Sequence, residues 1–195
     1  SGTAASLCGL EAALADGDDA AVDAAVRRLV LLHAVTWSWG GIPLLYMGDE
    51  LALRNDASYL EDPARAPDNR WMHRPPMDWA AAERRADPAT LEGRVFGWMR
   101  RLAEARRSLV ALRGGTEPEV LDVGNEFVLA WRRRSPRGGA FVGVANFSPY
   151  LQGVDADTVT GFGTYARVLA GDGDFAVRHG RLVVPGLGFA WYAEP

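Results

Sequence analysis

The sequence lacks lysine altogether, so all 21 of its basic residues are arginines. Against 25 acidic residues they leave a net charge of -4, which gives no strong positive field for nucleic acid or an anionic membrane. We therefore expect neither partner. Exclusive use of arginine, with 22 glycines and abundant alanine, indicates a GC-rich bacterial genome rather than a binding surface.

Cysteine is nearly absent as well, since Cys8 is the only one in 195 residues. One cysteine excludes an internal disulfide and a thiolate metal site, so we expect a buried small hydrophobic side chain. The lack of a disulfide favours the bacterial cytoplasm, although secretion stays open. Membrane-spanning apolar runs, an initiator methionine and a signal peptide are also missing, and we expect the chain to begin inside a longer protein.

The composition that remains, 48% hydrophobic and 24% charged, is typical of one or two globular domains. From Asp18 to about Trp37, apolar residues recur at three- and four-residue spacing, which predicts an amphipathic helix. Gly40 and Gly41 end it. The run IPLLYM that follows, residues 42–47, predicts a short strand buried on both faces, as in a parallel α/β protein.

Residues 48–87 form a long proline-containing segment that is largely incompatible with regular structure. Loops of this length in compact domains are usually functional. A second amphipathic helix is predicted from about Thr90 to Leu112, with its apolar stripe against the predicted strand.

Beyond Gly114 the pattern changes to short β-type runs separated by turn residues, which predicts an antiparallel all-β module. We accordingly divide the chain into residues 1–113, of α/β type, and residues 114–195, all β. Trp131 and Trp191 fall in alternating apolar runs and are expected in the core, whereas His179 is expected in a hairpin turn.

The string GGIPLLYMGDE, residues 40–50, resembles the eighth-strand signature of the α-amylase family, glycoside hydrolase family 13. AFVGVANFSPY and LVVPGLGFAWYAEP resemble strands of that family's domain C. The resemblance implies that residues 1–113 are the C-terminal portion of a catalytic (β/α)8 TIM barrel, about strand 8 with flanking helices. Residues 114–195 would be the β-sandwich that follows it.

A second string, DNRWMHRPPMDW at residues 68–79, is similar to a segment of amylosucrases and closely related sucrose hydrolases. In those enzymes the arginine at the position of Arg70 pairs with an aspartate at the blocked end of the sugar pocket. A planar guanidinium suits this role because it can hold a carboxylate bidentately. The alternative is a structural ion pair that ties the loop down.

Other side chains near these strings are weaker candidates for binding substrate. Asp49 and Glu50 would emerge at the carboxyl end of the predicted strand, where Glu50 could either contact sugar or anchor the loop. The remaining candidates are Trp71, His73 and Arg74, with Trp71, Trp79 and Tyr59 able to stack on sugars or to fill the core. His33, on the apolar stripe of the first helix, receives no chemical role.

Catalytic residues are not assigned to this chain. Retaining α-glycosidases need two carboxyl groups about 5 Å apart, and the resemblance places them, with a third carboxylate, on strands that would precede Ser1. Asp49, Glu50 and Asp56 are not substitutes. The resemblance implies an intact enzyme that transfers the glucosyl unit of sucrose to α-1,4-glucan or to water and releases fructose. It implies no cofactor, and the dispersed carboxylates predict no metal site.

Several alternatives stay open. A sucrose hydrolase would differ only in acceptor, and a trehalose synthase or another α-glucosidase is more remote. A non-catalytic carbohydrate-binding or structural module is the alternative from a different class. Because part of a barrel has unpaired strand edges and uncovered helix faces, we expect exposed apolar surface within residues 20–112 and possible homo-oligomers.

Overall fold

A computed structural model describes residues 2–161 and 163–195. The α-helices in these residues are α1 (Ala4–Leu7), α2 (Leu10–Asp16), α3 (Asp19–Trp39), α4 (Trp79–Glu83), α5 (Leu91–Ser108) and α6 (Ala156–Thr160). The strands are β1 (Glu119–Leu121), β2 (Val128–Arg134), β3 (Ala140–Asn146), β4 (Gln152–Asp155), β5 (Ala166–Ala170), β6 (Ala176–Arg178), β7 (Arg181–Val184) and β8 (Phe189–Ala193).

Both long helices are confirmed. The Asp18 carboxylate caps α3 by accepting the Ala21 N–H at 3.0 Å, and Leu29 and Val30 on its apolar stripe are buried. In α5 the buried stripe includes Val95 and Leu102, and the predicted extension to Leu112 is a separate short 3-10 turn. Throughout residues 2–161 and 163–195, no helix is both long and apolar enough to cross a membrane.

The chain forms two compact units whose segments alternate along the sequence. One contains the residues up to Leu29 together with Leu45–Arg100, and the other contains Val30–Leu44 and Arg101–Pro195. The predicted boundary near Gly114 lies just before β1, where the β-rich part of the sequence begins. The second unit starts earlier because the end of α3 belongs to it, with Trp39 and Trp131 rings 6.1 Å apart.

Within the second unit, the strands between Glu119 and Ala193 form an antiparallel module of two sheets, as the sequence predicts. One sheet has the order β1-β2-β3-β8-β5 and the other the order β4-β7-β6, and every pairing is antiparallel. Apolar side chains from both sheets share a core that includes Val144, Val154 and Val184. Trp131 and Trp191 are fully buried, and His179 lies in the turn between β6 and β7, so these predictions are confirmed.

The strand predicted at residues 42–47 is wrong for this chain. The residues form no strand, and Ile42 and Leu44 are 94% and 77% exposed. A parallel strand needs partners along its edges, whereas the strands of the described residues all follow Glu119 and pair antiparallel among themselves. The first helix and the apolar run are therefore present, but the run is not a strand in the described residues.

Candidate functional site

The long loop, residues 48–87, is held in place largely by its own aspartates. Asp56, Asp62 and Asp68 each accept the backbone N–H two residues ahead, at 2.9 to 3.0 Å. Asp78 accepts the Ala81 N–H at 2.9 Å and caps α4. These are local turn and cap contacts of the kind aspartate favours, so the carboxylates of the loop stabilise its backbone.

The loop begins in a tight turn at the end of the exposed apolar run. Gly48 has φ 93°, and its N–H donates to Glu50 Oε2 at 3.0 Å. A Cβ on Gly48 would lie 2.7 Å from Leu53 Cδ1, so both the backbone and the space require glycine. This hydrogen bond lets Glu50 anchor the loop, and a contact of Glu50 with sugar stays a prediction.

Asp49 is a carboxyl group of this unit with a strongly raised pKa. Burial raises its pKa, the neighbouring Glu50 charge raises it further, and a hydrogen bond with the Tyr46 backbone lowers it, giving a value of about 6. A carboxyl group with such a pKa can exchange a proton near neutral pH.

Arg70 forms an ion pair within its own turn. Its Nε donates to Asp68 Oδ1 at 2.8 Å and its Nη2 to Asp68 Oδ2 at 2.7 Å. The side chain of Arg70 is 66% exposed. These hydrogen bonds lower the pKa of Asp68 to about 2. The fork geometry expected of Arg70 is present, with a local carboxylate two residues away as its partner.

The other candidates of the RWMHRP string are divided between two small clusters. The guanidinium of Arg65 lies 4.6 Å from the ring centre of Trp71. The guanidinium of Arg74 lies 5.9 Å from the same ring centre. The His73 ring is 6.3 Å from Tyr46. No sequence pattern pointed to Arg65, because an arginine in a loop is recognised as a stacking partner only when its neighbours are known.

Two clefts open on the first unit, and both are lined in part by residues 75–79. The larger, about 460 Å³, is lined by Leu51–Asp56, Pro75, Pro76, Asp78 and an ion pair between Arg84 and Glu92. The smaller, about 310 Å³, is lined by Glu50, Leu51, Met77, Trp79, Ala82, Glu83, Arg85 and Phe96. Trp79 is 74% exposed, whereas Tyr59 is buried and fills the core. Glu50 and Trp79 belong to separate strings of the sequence, and the fold brings them to one cleft.

Among residues 2–161 and 163–195, no three His, Cys, Asp or Glu side chains are grouped so that they could hold a metal ion. Cys8 is buried, and burial raises the pKa of its thiol, which disfavours the reactive thiolate.

No protein-family model matches the sequence. Among solved structures, Amy13B from Eubacterium rectale is similar over 100% of this chain and 37% of its own, with 17% identity and a TM-score of 0.66. The trehalulose synthase MutB from Pseudomonas mesoacidophila MX-45 matches 87% of this chain and 38% of its own, with 17% identity and a TM-score of 0.65. The R201Q mutant of the Bacillus licheniformis trehalose-6-phosphate hydrolase matches 86% of this chain and 38% of its own, with 13% identity and a TM-score of 0.59.

These similarities are too low in identity to transfer an activity, and they concern the fold. The chain spans less than two fifths of the length of the solved structures it matches. The chain thus has the fold of a part of larger enzymes whose names include a trehalulose synthase and a trehalose-6-phosphate hydrolase.

Proposed function

We propose that this chain is the C-terminal part of a retaining α-glucosyl-transferring enzyme of the α-amylase family that acts on sucrose, of the amylosucrase type. The observation that carries the proposal is the agreement of two independent features. The string at residues 40–50 resembles that family, and the string at residues 68–79 resembles its sucrose-using branch. The fold of this chain also matches 37–38% of the length of each of two larger enzymes. The choice of sucrose as the substrate rests on the string at residues 68–79 alone.

The exposed apolar run supports a role within a larger protein. Residues 42–47 have an extended sequence pattern, yet Ile42, Leu44 and Met47 are 94%, 77% and 51% exposed. Burying an aliphatic side chain of this size stabilises a protein by about 1.5–3 kcal/mol. In the longer enzyme we propose that this run pairs with neighbouring parallel strands and becomes the buried eighth strand of a barrel.

Arg70 would then line the sugar pocket. Its present partner, Asp68, lies in the same turn, and both groups face solvent. Exposed ion pairs typically contribute only about 0–1 kcal/mol, so little opposes a rearrangement of the guanidinium toward a second carboxylate. In the longer enzyme Arg70 would hold that carboxylate at the closed end of a glucosyl-binding pocket, and Trp71, His73 and Arg74 would shape the adjoining wall.

The chemistry itself would be supplied by carboxylates outside these 195 residues. One carboxylate would form the glucosyl-enzyme intermediate as fructose leaves, and a second would act first as acid and then as base. Water or the 4-hydroxyl of an α-glucan would accept the glucosyl group. A sucrose hydrolase would share every residue discussed above and would differ in how the acceptor is held.

The test compares this chain with a version extended upstream through a complete barrel. We expect the 195-residue chain to release no fructose from sucrose and the extended enzyme to release it, with product analysis separating polymer from free glucose. Turnover by the short chain, or an extended enzyme that cleaves other α-glucosides but not sucrose, would contradict the proposal. An inactive extended chain that binds glucan would favour the alternative of a non-catalytic carbohydrate-binding module.

A further inference from the structure

The carboxyl end of α3 is held by two arginines that come from other elements of the second unit. Arg106, in the last turn of α5, donates from Nη1 to the carbonyl oxygen of Trp37 and from Nη2 to that of Gly41 at 3.2 Å. Arg133 Nη1, on β2, lies 3.5 Å from Ser38 O. Carbonyl groups in the last turn of a helix have no partner within the helix, and the negative end of its dipole attracts cations. Arg106 therefore satisfies the end of α3 with charge as well as with hydrogen bonds.

Arg106 differs from an ordinary helix cap because its two acceptors lie on opposite sides of a corner in the chain. Trp37 O belongs to α3, whereas Gly41 O lies beyond the end of that helix. Gly41 has φ 66°, a backbone conformation that glycine adopts without strain. Because the guanidinium is planar and its donors have fixed positions, it holds the two carbonyl groups at a set separation. The contact thus fixes the angle at which the apolar run, residues 42–47, leaves α3.

The surroundings of the corner favour this contact over exchange with water. Trp37 and Ser38 are buried, so the carboxyl end of α3 is largely removed from solvent. Burial also lowers the pKa of Arg106, because it disfavours the charged form of the side chain. The positive charge of Arg133 lies nearby, and Arg133 is only 1% exposed. Two like charges in such a place are tolerated because carbonyl oxygens accept hydrogen bonds from both guanidinium groups.

The run that leaves this corner has no comparable support. Ile42 and Leu44 are 94% and 77% exposed. When such a run pairs in a sheet, its register matters, because a shift by one residue turns every side chain to the opposite face. Six residues of a strand span about 20 Å, so a change of angle at the corner is magnified at the far end. The turn that contains Glu50 and the loop that contains Arg70 follow that far end.

We propose that Arg106 is a positioning residue for the sugar site, because it fixes the corner at residues 37–41 and so sets the direction and register of the run in the longer enzyme. The inference rests on the proposed function, in which the run becomes a barrel strand whose far end borders the pocket. Arg106 itself touches no substrate. Because a misplacement of about 1 Å can lower a rate by about a hundredfold, Arg106 acts on turnover from the opposite end of the strand.

The first test measures the corner in the 195-residue chain. Spin labels are attached to Leu44→Cys and Val120→Cys in a Cys8→Ala background, because both positions are exposed, at 77% and 60%, and belong to the second unit. Dipolar electron paramagnetic resonance at low protein concentration then gives the distribution of distances between the labels. We expect a narrow distribution in this parent and a markedly broader one with Arg106→Ala. Arg107→Ala, which removes the next and exposed arginine of α5, is the matched control and should leave the distribution unchanged.

The second test uses the extended enzyme at a temperature well below its unfolding midpoint. We expect Arg106→Ala to lower kcat/KM for sucrose by roughly tenfold to a hundredfold while the enzyme stays folded by circular dichroism. Arg106→Lys should restore the thermal midpoint, since it keeps a positive charge at the end of α3. It should recover only part of kcat/KM, because a compact ammonium group does not reproduce the planar fork that spans both carbonyl groups. Arg107→Ala should change neither quantity.

Several outcomes would overturn the inference. They are a distribution as narrow in Arg106→Ala as in the parent, equal broadening by Arg107→Ala, an unchanged kcat/KM in Arg106→Ala, and complete recovery of kcat/KM by Arg106→Lys. An extended enzyme that cleaves another α-glucoside instead of sucrose would refute the proposed substrate, and the same variants compared on that glucoside would still test Arg106. An inactive extended enzyme would refute the proposed function, and the distance distribution would still decide whether Arg106 fixes the corner.

Discussion

Trp131 and Gly143 are direct partners across strands β2 and β3, and the indole covers the glycine. A Cβ placed on Gly143 would lie 2.2 Å from Cζ2 of Trp131 and 2.4 Å from Cε2. Trp131 is fully buried and also packs against Trp39 and Phe141, at ring separations of 6.1 and 6.4 Å. The indole therefore has no room to yield, and the absence of a side chain at residue 143 is a packing requirement.

We expect Gly143→Ala to lower the free energy of unfolding by about 1–3 kcal/mol, because the added methyl group overpacks the core. The measurement is urea unfolding followed by tryptophan fluorescence. Gly114→Ala is the control in the same unit, since a Cβ there would meet no atom within 4 Å, and its effect should stay within about 0.5 kcal/mol. Equal midpoints for the two variants would show that the indole can move.

Arg133 should contribute more to stability than its neighbour Arg132. Arg133 is only 1% exposed, and its Nη2 donates to Arg113 O at 3.0 Å and Thr116 Oγ1 at 2.9 Å. Burial lowers the pKa of Arg133 most, and the nearby positive charge of Arg106 lowers it further. Arg133→Ala would remove these hydrogen bonds and leave a cavity, so we expect a loss of about 3 kcal/mol.

Arg132→Ala is the matched control, since Arg132 points to the opposite face of β2 and pairs with Glu119 at 2.8 Å. A partly exposed ion pair of this kind should cost about 1 kcal/mol or less. Both variants are compared by thermal and urea unfolding. A larger effect of Arg132→Ala would contradict the structural role of Arg133.

Asp49 should make the chain less stable as the pH rises through the range of its titration. Its pKa is about 6 in the folded chain against an ordinary 3.8, so the folded state binds more protons between these values. The free energy of unfolding therefore falls as the pH rises from about 4 to about 6, and it stays lower above pH 6. Asp49→Asn should remove this fall and stabilise the chain at pH 7 by about 1–2 kcal/mol, a value discounted for partial exposure.

The pKa of Asp49 can be measured directly by ¹³C NMR of its carboxyl group. Glu50→Gln keeps an acceptor for Gly48 N–H but removes the second cause of the shift, so the midpoint should move to lower pH. A midpoint near 4 in the unmodified chain would refute the predicted pH dependence. An unchanged midpoint in Glu50→Gln would leave burial as the cause.

The exposed apolar run should drive self-association of the isolated chain. Leu44→Asp, at a position that is 77% exposed, should lower the weight-average mass in sedimentation at high protein concentration. Leu7→Asp is the control, because Leu7 is similarly exposed, at 73%, outside the run. Self-association that survives Leu44→Asp and disappears in Leu7→Asp would assign the contact to α1.

Arg70 should matter to turnover in the extended enzyme and not to folding of this chain. We expect Arg70→Ala to lower kcat/KM for sucrose by roughly a hundredfold, as for the loss of a buried charge-assisted contact in a sugar pocket. Arg54→Ala, at an exposed position of the same loop, should change kcat/KM little. An unchanged kcat/KM for Arg70→Ala would contradict the pocket role and leave Arg70 only its ion pair with Asp68.

Local patterns in the sequence were sufficient for much of the fold. The periodicities of α3 and α5 and the alternation in β2, β3 and β8 predicted these elements, since each has an apolar face that is buried in the fold. The additional strand β6 and the helix α6 were missed because three to five residues carry too little periodicity. The doubly buried strand at residues 42–47 failed for another reason: its burial depends on partner strands, which local sequence cannot provide.

For the site, the sequence by itself determined which residues carry recognisable chemistry: the YMGDE turn, Arg70 and the aromatic residues of the long loop. Only the tertiary structure decided how these groups are used. Glu50 is tied to Gly48, and Arg70 turns to Asp68, because nearby hydrogen-bond partners fix a side chain that the sequence leaves free to rotate. The meeting of Trp79 with Glu50, Glu83 and Arg85 joins residues from separate turns of the loop, and such proximity arises from packing rather than from spacing along the chain.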